Sequence, residues 1–198
     1  MADIHCSSDV HAFFVEHVQQ AMRDLQVETA RETQGYLVHL LSDFAVSERL
    51  QVLSEPLAIL FQRALQASGP ERYSRMRELG DVALFICGFF PDSFDRRGLS
   101  RPYVVSLGGR AYLVLGQAAV QASRDQVGNA HVFVELGGRF HDMARVLDEV
   151  RERTAMCTEG EIVRLYERWV HSGSPSLARR LRRRGVQPQR ARRQGRLN

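Results

Sequence analysis

Apolar residues recur three and four apart along most of the chain, and no strand-like alternation competes with them. Val10, Phe13, Phe14, Val18, Ala21, Met22 and Leu25 form the first such stripe, behind Ser8 and Asp9, whose side chains are placed to accept from the first free amides of a helix. Thr29-Ala30-Arg31-Glu32 has the spacing of a capping box, and a second helix follows with Tyr36, Leu37, Leu40, Leu41 and Phe44 turned inward. Ser54-Glu55-Pro56 opens a third, with Leu57, Leu60, Phe61 and Leu65 on its apolar face.

Ser68-Gly69-Pro70-Glu71 repeats the box for a fourth helix. This one is amphipathic from Tyr73 to Leu79 and then nearly all apolar from Val82 to Phe90, where Pro91 stops it. A helix that is apolar all round must be surrounded by other helices, which puts this one at the centre of a bundle. Pro91 to Gly98 reads as a loop. Ser100 and Pro102 open a fifth helix to about Ala122, and Asn129 opens a sixth with Phe133, Leu136, Phe140, Ala144, Leu147 and Val150 on one face. A third box at Thr158-Glu159-Gly160-Glu161 starts a seventh, with Ile162, Leu165, Tyr166 and Trp169 inward and a break at Ser172-Gly173-Ser174-Pro175. The expected fold is all-α: a single-domain bundle of about six to seven helices over residues 1–173, followed by a tail over 174–198. The tail begins with a short basic helix, Leu177 to Arg184, stopped by Gly185, and Val186 to Asn198 reads as disordered.

The run Leu-Gly-Gly-Arg occurs twice, at Leu107–Arg110 and Leu136–Arg139. Each glycine inside a helix costs about 1 kcal/mol against alanine, so a close helix–helix approach is expected to offset it. If the two helices pack antiparallel with the pairs in register, Arg110 and Arg139 line one pocket and hold an anion; the competing and preferred reading pairs them with Asp92, Asp95 or Asp142. His39 with Asp43, and His141 with Asp142, complete this candidate ligand pocket.

Charge changes the picture at the C-terminal end. All 27 basic residues are arginine, which fits codon usage as readily as a demand for guanidinium chemistry. Residues 1–173 carry 18 arginines against 23 acids, a net −5, while residues 174–198 carry nine arginines and no acid, a net +9. A run without internal counter-charge is a handle for something anionic. The candidate anion-binding or nucleic-acid-binding residues are Arg179, Arg180, Arg182, Arg183, Arg184, Arg190, Arg192, Arg193 and Arg196. No Phe, Tyr or Trp follows Trp169, so base stacking is not expected and phosphate contact without sequence preference is. The tail is expected to be dispensable for folding.

Other chemistry finds little support. Cys6, Cys87 and Cys157 are widely spaced and match neither a disulfide framework nor a zinc site, and Glu-x-x-His spacing is absent. Cys87 sits in the apolar heart of the fourth helix, where a thiol is a poor nucleophile. No nucleophile elbow, phosphate loop or dinucleotide fingerprint is present, so no catalytic residue, metal or cofactor is assigned. With no secretory leader and no span of roughly 20 apolar residues, a cytoplasmic protein without a membrane span is expected. The leading expectation is a non-enzymatic adaptor or regulatory module whose arginine-rich tail binds nucleic acid or an acidic protein surface. The alternatives are a bundle or enzyme that takes an anionic small molecule near Arg110 and Arg139, and a homo-oligomeric structural protein.

Overall fold

The computed structural model describes residues 3–46, 55–90, 94, 100–122, 127–154, 159–183 and 186–188. These residues form helices and connections, with no strand among them. The helices are α1 (Asp3–Leu25), α2 (Arg31–Val46), α3 (Leu57–Gln66), α4 (Gly69–Phe89), α5 (Arg101–Ala122), α6 (Val127–Gly138), α7 (Phe140–Thr154), α8 (Glu159–Ser172) and α9 (Pro175–Arg183). The expected all-α class is the observed one. The described helices number nine rather than six or seven, because the expected sixth divides at Arg139 and the short basic helix is a regular element.

Chain contacts divide the molecule into residues 1–153 and 154–198. In the first unit α4 is buried continuously from Leu79 to Gly88, as its apolar run implies. It packs against α3 and α5, α5 packs against α6, and α2 against α1 and α6. Phe133, Leu136, Phe140, Ala144, Leu147 and Val150 are all buried, so the apolar stripe runs across the division at Arg139. Three residues expected inside are largely exposed: Phe13, Leu65 and Phe90.

Helix starts fall close to where the sequence puts them, but the caps differ. Thr29 donates its hydroxyl to the Met22 sulfur at 3.9 Å instead of closing a box with Glu32. Glu135, from α6, takes over, accepting from the Ala30 amide at 3.2 Å and from the Thr33 hydroxyl at 2.6 Å. A carboxylate at a helix N-terminus suits both the free amides and the helix dipole whichever segment supplies it. Ser68 precedes α4 without a side-chain cap bond. Ser100 does cap α5, accepting from the Tyr103 amide at 3.4 Å. Helix α1 begins at Asp3 rather than after Asp9, since no glycine or proline interrupts the chain before Leu25. Ser54, Thr158, Cys157, Gly185 and, apart from Phe94, the loop at 91–98 lie outside the described residues.

The glycine pairs meet. A Cβ on Gly137 would stand 2.8 Å from the Gly109 carbonyl oxygen, and one on Gly109 would stand 3.2 Å from that of Gly137. Farther along, Gly116 faces Ala130 and Val134, so α5 and α6 run antiparallel with backbones in close approach. The packing reading of the repeated motif therefore holds for Gly109 and Gly137. Gly108 instead seats Ala83 and the Phe140 ring, and Gly138 meets nothing within 4 Å.

The second unit is built on α8 and α9. Gly173 supplies the turn between them, with φ of 63° in the left-handed region that glycine adopts without steric cost. Its amide bonds to the Trp169 carbonyl at 2.8 Å, and Pro175 opens α9. Leu165, Trp169, Leu177, Ala178 and Leu181 bury one another in a small core, with Val186 packed at its edge. The start of the basic segment is therefore packed against α8, where the sequence reading places a tail after Ser172. The break at Ser172–Pro175 is a turn inside this unit.

Candidate functional site

Helix α9 is where sequence, local structure and charge coincide. Leu177, Ala178 and Leu181 lie at i, i+1 and i+4, so hydrophobic burial fixes which way the helix faces. Arg179 and Arg182 fall between those positions and are exposed. Their guanidinium groups make no bond among the described residues. The Val186 amide reaches back to the Leu181 carbonyl at 2.9 Å, closing the helix end with an apolar contact of the kind that terminates helices. Arg180 and Arg183 also lie on α9; Arg184, Arg190, Arg192, Arg193 and Arg196 lie outside the described residues. By sequence, residues 154–198 hold eleven arginines against three acids.

In the first unit the expected ligand pocket is not assembled as one site. Arg139 donates to the Glu28 carbonyl and pairs with Glu135 at 3.7 Å and Asp142 at 3.5 Å. Asp142 also faces Arg145 at 3.5 Å. This is the internal ion pair that competed with the anion-binding reading, and it leaves Arg139 tying α6 and α7 to the entry of α2. Asp92 and Asp95 lie outside the described residues. Arg110 points elsewhere, into a trough between α3, α4 and α5. His39 lines a different groove, while Asp43 and His141 are exposed and line neither.

The groove at His39 measures about 820 Å³, within the range of small-molecule sites, and is also lined by Tyr36, Tyr73, Arg77 and Phe133. Behind it lies a polar cluster that the sequence reading missed. Asp81, buried on α4, accepts from the Tyr36 hydroxyl at 2.5 Å and from the Tyr112 hydroxyl at 2.8 Å through the same oxygen. Arg77, one turn earlier on α4, approaches its other oxygen at 3.7 Å, donates to Tyr36 Oη at 3.2 Å and lies 5.3 Å from the centre of that ring. Burial, then the Asp81 charge, pushes both phenols above their ordinary range. Both hydroxyls bond to one Asp81 oxygen, so the cluster clamps α2, α4 and α5 together. Burial likewise pushes the Cys87 thiol up to about 12, which keeps it an inert apolar group.

No family model, curated protein or solved structure matches the chain. The functional reading therefore rests on the chemistry of the sites. No group of three or more His, Cys, Asp or Glu is placed to hold a metal among the described residues, and none of their helices is long and apolar enough to cross a membrane. The sequence did carry one signal for the missed cluster: Asp81 is a lone acid set directly before an apolar run, with Arg77 at i−4. Its phenolic partners are 45 and 31 residues away, beyond the reach of any local pattern.

Proposed function

We propose that the protein is a non-enzymatic helical adaptor or regulatory module whose C-terminal unit binds a polyanion, either nucleic acid without sequence preference or an acidic protein surface. The observation that carries this reading is the facing of α9. Its apolar side is occupied by Leu165 and Trp169, so Arg179 and Arg182 are presented to solvent on an ordered scaffold instead of trailing on a free chain. Guanidinium groups stay charged at any physiological pH and bind phosphate or carboxylate through paired donors. The arginines that follow in sequence extend the same charge.

Fluorescence anisotropy with a labelled DNA duplex, an RNA hairpin and poly-glutamate tests the proposal. Preference for the two nucleic acids, equal across base sequences, identifies phosphate as the partner chemistry, whereas preference for poly-glutamate identifies an acidic protein face. Arg179→Glu with Arg182→Glu should weaken binding at least tenfold without changing the helical circular dichroism. Failure of the wild-type chain to bind all three probes at low salt would falsify the reading.

A further inference from the structure

The trough that receives Arg110 combines apolar walls with arginine. Phe61, Leu65, Met76, Tyr103, Leu107 and Val114 form its walls, and its volume is about 410 Å³. Leu65 is 51% exposed and Tyr103 is 46% exposed, so large apolar side chains along it are left in water. Two cations, Arg72 from α4 and Arg110 from α5, line the same trough, and neither guanidinium makes a hydrogen bond or ion pair among the described residues. In the same unit Arg63, Arg75, Arg139, Arg145, Arg151 and Arg153 all pair with acids. The Ser106 hydroxyl adds a polar group to the lining.

An apolar channel with two uncompensated guanidinium groups is complementary to a molecule with a hydrocarbon tail and an anionic head. We propose that this trough binds a single-chain anionic amphiphile, a fatty-acid carboxylate, with the head on Arg72 and Arg110 and the chain along Phe61, Leu65, Leu107 and Tyr103. Helix geometry supports the assignment. On α5, Tyr103 and Leu107 precede Arg110 by seven and three residues along one stripe, about 10 Å at roughly 1.5 Å per residue, which gives a hydrocarbon chain a path away from the head. A small inorganic anion would leave the apolar walls wet, and a neutral hydrocarbon would leave both cations without a partner. The inference is independent of the polyanion reading, since its residues belong to α3, α4 and α5.

Isothermal titration calorimetry with octanoate, decanoate and dodecanoate, each below its micellar concentration, provides the test. One molecule should bind per chain, with affinity rising up to about fourfold per added methylene until the trough is filled. Dodecan-1-ol and dodecyltrimethylammonium should bind at least tenfold more weakly than dodecanoate, and acetate not measurably. Arg72→Gln with Arg110→Gln should remove the preference for carboxylate over alcohol, and Leu65→Asp, at an exposed site, should weaken both. Arg179→Glu with Arg182→Glu should leave dodecanoate binding unchanged, which separates this site from the C-terminal unit. Equal wild-type affinity for dodecanoate and dodecan-1-ol would overturn the proposal even if a variant failed to fold. So would binding insensitive to the double glutamine substitution, absence of binding at every chain length, or binding of an acidic amphipathic peptide or of anionic vesicles without binding of the monomeric acid.

Discussion

Tyr112 is fully enclosed, and its hydroxyl shares one oxygen of Asp81 with that of Tyr36. A buried carboxylate is tolerated when donors surround it, and removal of one donor leaves acceptor capacity unsatisfied. Tyr112→Phe should therefore destabilise the first unit by about 1–3 kcal/mol in urea unfolding, and Asp81→Ala, which strands both hydroxyls, should cost more. The same cluster sets an alkaline limit. Folding raises both phenols above their ordinary value, so above about pH 10 the unfolded chain releases protons that the folded chain retains. Stability from this source is complete below that pH and falls as pH rises through it. Cys87, raised from 9.0 to about 12, acts in the same direction across that interval. The urea midpoint should drop between about pH 8 and about pH 11, and Tyr112→Phe should flatten the drop. A midpoint constant over that range would refute the clamp.

At the scale of elements, the repeated glycine motif gives the clearest contrast. Gly109 and Gly137 sit against each other's backbone, so Gly109→Leu or Gly137→Leu should overpack the α5–α6 interface and cost about 1–3 kcal/mol, read as a lower melting temperature. Gly138 faces open space, so Gly138→Ala should be neutral or stabilise by up to about 1 kcal/mol through helix propensity. Sequence alone expects Gly138 to behave like its neighbours, because the motif is symmetrical and the packing is not. The capping of α2 teaches the same lesson. Thr29 and Glu32 have the right types and spacing, and the start of the helix was legible from them. Glu135 nevertheless binds the Ala30 amide and the Thr33 hydroxyl, and no periodicity links residues more than 100 positions apart.

For the molecule as a whole, the division at Arg153/Thr154 separates charge as well as contacts. Residues 1–153 carry 20 acids against 16 arginines, and residues 154–198 carry three acids against eleven. A chain ending at Pro188 keeps the partners of Trp169 and five of the last nine arginines. Its log–log dependence of nucleic-acid affinity on salt should fall from a slope of about −8 to about −4.5, with unchanged melting. A chain ending at Ser172 removes Leu177, Ala178 and Leu181 from the small core. The single tryptophan, Trp169, should then show red-shifted emission, whereas the chain ending at Pro188 should not. A slope that stays constant across both truncations would place the polyanion site outside the C-terminal unit.

The sequence by itself determined the all-α class, most helix boundaries, the buried centre of α4, the turn at Gly173 and the segregation of arginine to one end. All of these depend on interactions between residues a few positions apart, or on composition alone. Only the tertiary structure decided that Arg110 opens into an apolar trough, that Glu135 caps α2, and that Asp81 holds two distant phenols. Those outcomes depend on which helix faces meet and in what register. Register is set by close packing of the whole core, where a glycine pair or a buried carboxylate acquires its role from the surface it is pressed against.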